Sequence, residues 1–66
     1  MGNKIKEYRE KENMTQTELS EKSGVSRVTI SQLEQGVDRN TTSRTLLKIA
    51  RALNTTVENI FFTESV

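Results

Sequence analysis

Apolar residues recur along this chain at intervals of three and four positions, the spacing that places side chains on one face of an α-helix. In the segment after residue 42, for example, Leu46, Leu47, Ile49, Ala50 and Leu53 follow one another within about two turns. The pattern predicts about five short helices with tight connections. We expect them at about residues 4–12, 16–22, 27–35 and 43–53, followed by a short fifth helix after Thr56.

Residues that favour helix ends mark several of these boundaries. Thr15 and Glu18 have the spacing of a capping box, in which each side chain bonds to the backbone of the other residue. Ser26 is placed to cap the third helix. Gly24 and Asn54 can take the left-handed backbone conformation that often ends a helix, so each is expected to stop the helix before it.

Composition agrees with an all-α domain. The 66 residues include no proline and three glycines, whereas residues that favour helices are frequent. This length suits one domain, residues 1–66, and lies near the lower limit for a self-sufficient hydrophobic core. Cysteine and histidine are absent, so no disulfide is possible and no metal or other cofactor is predicted.

Charge is distributed unevenly, although the net charge is only +1. Residues 1–53 carry +3 and the last thirteen residues carry −2. The first part is therefore able to face phosphate groups, although ordinary surface charge would give the same distribution. Apolar runs are too short for a signal peptide or a membrane span, so we expect a cytoplasmic protein with no membrane partner.

Residues 16–35 meet the requirements of two short helices that cross steeply over a tight turn. The segment supplies, in order, a buried leucine, a small residue, a turn glycine, an apolar plug and two anchors one turn apart. These residues are Leu19, Ser20, Gly24, Val25, Ile30 and Leu33.

This segment, QTELSEKSGVSRVTISQLEQ, is similar to the helix-turn-helix of the Cro/C1-type phage repressors, also called the Xre family. The resemblance extends on both sides, from IKEYREKENM before it to LLKIARALNTTVENIF after it. It implies a compact five-helix, lambda-repressor-like DNA-binding domain and a transcription regulator, usually a repressor. It also implies an ion pair between Arg9 and Glu34, which we interpret as structural. Ser20 stands where the family usually has alanine.

One side of the third helix has no reason to face the core. At about 100° per residue, Ile30, Leu33 and Glu34 share the buried side, and the opposite arc is free to enter a major groove. We predict four base-reading residues on that arc: Arg27, Val28, Ser31 and Gln32. Arginine can bind guanine and glutamine adenine, each through two hydrogen bonds, and valine can touch a thymine methyl. A plain solvated helix face is the alternative.

Contacts to phosphate are predicted around this arc. Gln16 begins the second helix, where free N–H groups attract anions, and the resemblance implies the same role for a glutamine here. The other candidates are polar or basic residues at helix ends or in the loop that follows. They are Ser26, Thr29, Gln35, Arg39, Asn40 and Arg44.

The C-terminal end carries an apolar patch of Val57, Ile60, Phe61 and Phe62 on a helix too short to bury all of it. We predict that the patch forms an isologous homodimer interface, although both phenylalanines would alternatively complete the protomer core. A homodimer would bind double-stranded DNA at a near-palindromic operator with half-sites about 34 Å apart.

Two other classes of function compete with this interpretation. In the first, the chain is a protein-interaction module, such as an antitoxin or a coactivator-like bridge, and the C-terminal patch binds another protein. In the second, it binds nucleic acid without sequence preference, for which the net charge is low. An enzyme is not predicted, since no glycine-rich phosphate loop, histidine or cysteine is present, and no small-molecule ligand is evident.

Overall fold

The computed structural model describes residues 3–37 and 41–61, and within them the chain forms helices and no strands. Five helices follow one another: α1 (Ile5–Lys11), α2 (Gln16–Ser23), α3 (Arg27–Glu34), α4 (Ser43–Ala52) and α5 (Val57–Phe61). The all-α, five-helix prediction is confirmed. Observed helix ends lie within about one residue of those expected from the sequence, the scatter that is normal at frayed ends.

Side chains cap the starts of the inner helices, and the caps at Thr15 and Ser26 are those predicted from the sequence. The Thr15 hydroxyl accepts from the Glu18 N–H at 3.0 Å, and the Glu18 carboxylate accepts from the Thr15 N–H at 2.9 Å, so the capping box is complete. Ser26 caps α3 by accepting from the Thr29 N–H at 3.1 Å. Thr42 caps α4 in the same way, through the Thr45 N–H.

Left-handed residues end the helices where tight turns are needed. Gly24 follows α2 with a φ of 77° and Asn54 follows α4 with a φ of 58°. Asn13 takes a φ of 56° between α1 and α2. Glycine adopts this conformation freely and asparagine tolerates it better than most residues, so the chain can reverse direction within two or three residues. The turn between α2 and α3 is therefore short enough to hold those helices against each other.

Seven large apolar side chains form the centre of the core, and every helix contributes at least one. They are Ile5, Leu19, Ile30, Leu33, Ile49, Leu53 and Ile60, the last of α5. Helix α2 lies between α3 and α4 and contacts both, while α1 and α5 contact each other and close the remaining side. Tyr8 and Met14 pack against this core from its edge. No described helix is long and apolar enough to cross a bilayer.

Two polar contacts tie the start of the chain to distant helices. The Lys4 N–H donates to the Ile60 carbonyl at 3.0 Å, which joins the start of α1 to α5. The Asn3 side-chain amide donates to the Leu33 carbonyl at 2.8 Å, near the end of α3. The Leu33 carbonyl also accepts from the Gly36 N–H at 3.0 Å, so the Asn3 amide is its second donor and attaches the start of the chain to the end of α3.

Thr15→Ala should lower the free energy of unfolding by about 1 kcal/mol, because the variant loses the N-cap half of the capping box. Urea denaturation followed by circular dichroism measures the change. Thr17→Ala is the matched control. Thr17 is the second residue of α2, is exposed and makes no capping bond. Equal stability of the two variants would contradict a stabilising role for the capping box.

Candidate DNA interface

Helix α3 has a buried side and an exposed side, and the division follows the predicted arc. Ile30 and Leu33 are buried, whereas Arg27, Val28 and Gln32 are exposed and Ser31 is partly exposed. Val28 is unusual because 67% of its surface is open to solvent. The four predicted base-reading residues therefore share one accessible face of the helix.

These four residues line one open depression on the protein surface. Arg27 and Val28 occupy the first turn of α3, and Ser31 and Gln32 lie four positions further on, at the separation that aligns side chains along a helix. An eight-residue helix is about 12 Å long and, with side chains, about as wide as the major groove. The face combines a guanidinium, an amide, a hydroxyl and an apolar group, which together can recognise base edges and a thymine methyl.

A second open depression lies beside the first, at the start of α2. Its lining includes Thr15, Gln16, Thr17 and Arg27, together with residues from the end of α1. Arg27 lines both depressions, so the exposed face of α3 continues to the N-terminus of α2. The free N–H groups at the N-terminus of α2 and the Arg27 guanidinium lie at one edge of this exposed face, where they can bind a phosphate of the DNA backbone.

Glu34 lies at the end of α3 and turns away from the exposed face. Its carboxylate accepts from Arg9 Nε at 2.8 Å and from Arg9 Nη2 at 3.2 Å, which confirms the ion pair implied by the resemblance. Both side chains are largely buried, with 12% of Arg9 and 6% of Glu34 exposed. Hydrogen bonding to Glu34 raises the pKa of the Arg9 guanidinium above its ordinary value.

Gln16 joins the same network, which the sequence did not predict. Its Nε2 donates to Glu34 Oε1 at 3.1 Å, while Arg9 Nη1 donates to the Met14 carbonyl at 2.8 Å. The network therefore links α1, the connection after it, α2 and α3. Since Glu34 is the only acid on α3, pairing it inward leaves the exposed face of that helix without negative charge.

The other predicted phosphate contacts differ in how they are placed. Ser26 donates its hydroxyl to Thr29 Oγ1 at 3.0 Å, which leaves the Thr29 hydroxyl proton available to a ligand. The Gln35 amide reaches Ser31 Oγ at 3.4 Å from the end of α3. Arg44 is exposed in the first turn of α4, where there is no acid. Arg39 and Asn40 lie outside the described residues.

The residues of the predicted dimer patch differ in their exposure to solvent. Ile60 has no exposed surface and belongs to the hydrophobic core with Ile5 and Leu53, so its side chain is not available to a partner. Val57 and Phe61 are partly exposed and pack against the edge of the core. Phe62 lies outside the described residues. Two further apolar residues are exposed, Val37 at 38% and Leu47 at 43%. For Leu47 this differs from the apolar pattern, which grouped it with the buried residues of the fourth helix.

No group of three His, Cys, Asp or Glu side chains within the described ranges is arranged to hold a metal ion.

Comparison with known proteins identifies the family. The helix-turn-helix family model matches residues 5–60, from the first residue of α1 to the last but one of α5. The chain belongs to the Cro/C1-type helix-turn-helix family. Its members are DNA-binding transcription regulators rather than enzymes.

Several named relatives are similar over almost the whole chain. An uncharacterized HTH-type transcriptional regulator of Archaeoglobus fulgidus is 48% identical over 92% of this chain and 84% of its own length. One from Methanocaldococcus jannaschii is 41% identical over 97% of this chain and 96% of its own. Control protein C.SmaI of Serratia marcescens is 37% identical over 91% of this chain and 70% of its own.

A solved structure shows the same fold. A chain of the SinR protein/SinI protein complex superposes with a TM-score of 0.76 and 31% sequence identity. The match covers 83% of this chain and 53% of the solved chain, so about half of the solved chain lies outside the match.

Proposed function

We propose that this protein is a sequence-specific transcription regulator that binds a near-palindromic operator as a homodimer. The observation that carries the proposal is the exposed face of α3, which is free of acids and lines an open depression with Arg27, Val28, Ser31 and Gln32. A plain solvated helix face gains nothing from a valine that is 67% exposed, whereas a major groove offers it thymine methyl groups.

Each side chain on this face contacts a different part of the base pairs. Arg27 binds O6 and N7 of a guanine, and Gln32 binds N6 and N7 of an adenine. Ser31 donates to or accepts from a neighbouring base, and Val28 contacts a thymine methyl. Arg27 lies in the first turn of α3, the end of a recognition helix that comes nearest the base edges.

Phosphate contacts hold this helix in register along the groove. Gln16 and the free N–H groups of the first turn of α2 bind one phosphate, beside Arg27. Thr29 and Ser26 at the start of α3 and Gln35 at its end contact the backbone on either side. Arg44 in the first turn of α4 reaches a further phosphate, and the loop residues Arg39 and Asn40 remain candidates for the same strand.

A homodimer supplies the second reading helix. Val57 and Phe61 of α5 provide the apolar part of an isologous contact, joined by Phe62. Two copies of α3 would then meet successive major grooves about 34 Å apart. Repression follows most directly from this arrangement, because a bound dimer excludes other proteins from the operator without any additional contact. A regulator of this kind acts in the compartment that holds the DNA, so we propose a cytoplasmic location.

Selection from random double-stranded DNA tests the proposal. The purified protein should enrich a near-palindrome whose half-sites are separated by about one helical turn, about 34 Å. Sequencing of the bound pool measures the enrichment. A folded sample that enriches no sequence at low salt would contradict sequence-specific binding, and enrichment of a lone half-site would contradict the homodimer.

Arg27→Ala should weaken binding to the selected operator by about 1–3 kcal/mol and relax the preference at one base pair of each half-site. Electrophoretic mobility shifts with operators altered at single positions measure both effects. Lys6→Ala is the matched control, because Lys6 is an exposed cation on α1 and lines neither depression. A uniform loss of affinity across all sequences would show that Arg27 binds phosphate instead.

Phe61→Glu should convert the dimer into a monomer, because a carboxylate would be buried without a partner at the contact between two α5 helices. Sedimentation equilibrium measures the mass, and circular dichroism establishes that the variant is folded. Leu47→Glu serves as the control for adding a carboxylate at an exposed apolar site of another helix. A folded Phe61→Glu variant with an unchanged dimer mass would contradict the proposed interface.

A further inference from the structure

The side-chain amide of Gln16 is held in place before any DNA binds. Its Nε2 donates to Glu34 Oε1 at 3.1 Å, and the same oxygen accepts from Arg9 Nη2 at 3.2 Å. The other carboxylate oxygen, Oε2, accepts from Arg9 Nε at 2.8 Å. One carboxylate thus receives three donors from two other helices.

This arrangement decides which end of the Gln16 amide faces inward. An ionised carboxylate only accepts hydrogen bonds, so it holds the NH₂ group and turns the carbonyl oxygen away. An NH₂ group has two protons, and the bond to Glu34 uses one of them. Since Gln16 lines the depression at the start of α2, the second proton remains for a ligand there. A free terminal amide, in contrast, rotates broadly and presents either end.

We propose that Glu34 is a positioning residue for DNA binding, which orients the Gln16 amide so that its second N–H donates to a backbone phosphate. The inference rests on the proposed function, because the ligand is the phosphate of bound DNA. Glu34 itself does not touch DNA.

Arg9 allows the Glu34 carboxylate to lie near DNA, which is a polyanion. A lone glutamate close to a phosphate would repel it, but the two-nitrogen contact from Arg9 neutralises the charge of Glu34. The third guanidinium nitrogen, Nη1, donates to the Met14 carbonyl at 2.8 Å and fixes Arg9 to the connection before α2. The orientation of Gln16 therefore depends on α1, α2 and α3 being packed together.

A positioning role and simple charge predict opposite results for the loss of Glu34. If only charge matters, removing an acid near the DNA raises affinity. If Glu34 positions Gln16, removing it lowers affinity, and the loss requires Gln16 to be present. A cycle of Gln16→Ala, Glu34→Ala and the double variant separates these cases, with dissociation constants measured on the duplex enriched by selection.

We expect Gln16→Ala and Glu34→Ala each to weaken binding by roughly three- to tenfold, the effect of one hydrogen bond, and the double variant to be no weaker than Gln16→Ala. Glu12→Gln is the matched control for charge: Glu12 is an exposed acid just after α1 that lines neither depression, and its loss should leave binding unchanged or tighter. Equal or tighter binding by a folded Glu34→Ala variant, or an undiminished loss in the Gln16→Ala background, would overturn the proposal.

A measurement without DNA tests the geometry on the unaltered chain, so the proposal stays testable if Glu34→Ala does not fold or selection enriches no duplex. The side-chain amide protons of Gln16 should exchange with water more slowly than those of Gln32, which is exposed on α3, in nuclear magnetic resonance spectra. Exchange at the same rate would overturn the proposal. Slow exchange together with failed selection would instead contradict the proposed function and leave the held amide established.

Discussion

The ion pair between Arg9 and Glu34 is the contact on which the arrangement of the first three helices depends. It joins α1 to the last residue of α3 through two hydrogen bonds, with a third side chain, Gln16, attached from α2. Both partners are largely withdrawn from water, so removing either would leave a charge without compensation. The pair therefore constrains the angle at which α3 leaves the turn after Gly24.

This constraint also shapes the exposed face of α3. A helix of eight residues has only two turns in which to supply core anchors and reading residues. Ile30 and Leu33 take the buried side, and Glu34 is drawn to the same side by Arg9. Every side chain left outside is neutral or positive, which a phosphate-lined groove requires. The fold thus places an acid in the helix without placing it against DNA.

Features that depend on neighbouring residues were predictable from sequence. The capping box of Thr15 and Glu18 depends on residues three positions apart, and the structure confirms it. The left-handed conformations of Gly24 and Asn54 depend on residue type at a helix end, and they are also confirmed. The buried and exposed sides of α3 follow from helical periodicity. The Arg9–Glu34 pair was reached only through family resemblance, because 25 positions separate the two residues.

Features set by packing between distant segments were not predictable. The contact of Gln16 with Glu34 requires three helices to be in place, and the sequence shows only a polar first-turn residue. The division of the C-terminal patch depends on α1, since the backbone at Lys4 holds Ile60 against the core. The exposure of Leu47 depends on which side of α4 meets α2 and α5, and apolar periodicity alone placed it with its buried neighbours.

If α3 reads bases through its exposed face, nuclear Overhauser effects should connect that face to the major groove of bound DNA. In the complex with the selected duplex, the Val28 methyl groups should show effects to thymine methyl protons or other protons of the major groove. That result would place the face of Arg27, Val28, Ser31 and Gln32 against base edges. Contacts to DNA confined to other helices, with Val28 unaffected, would contradict the account.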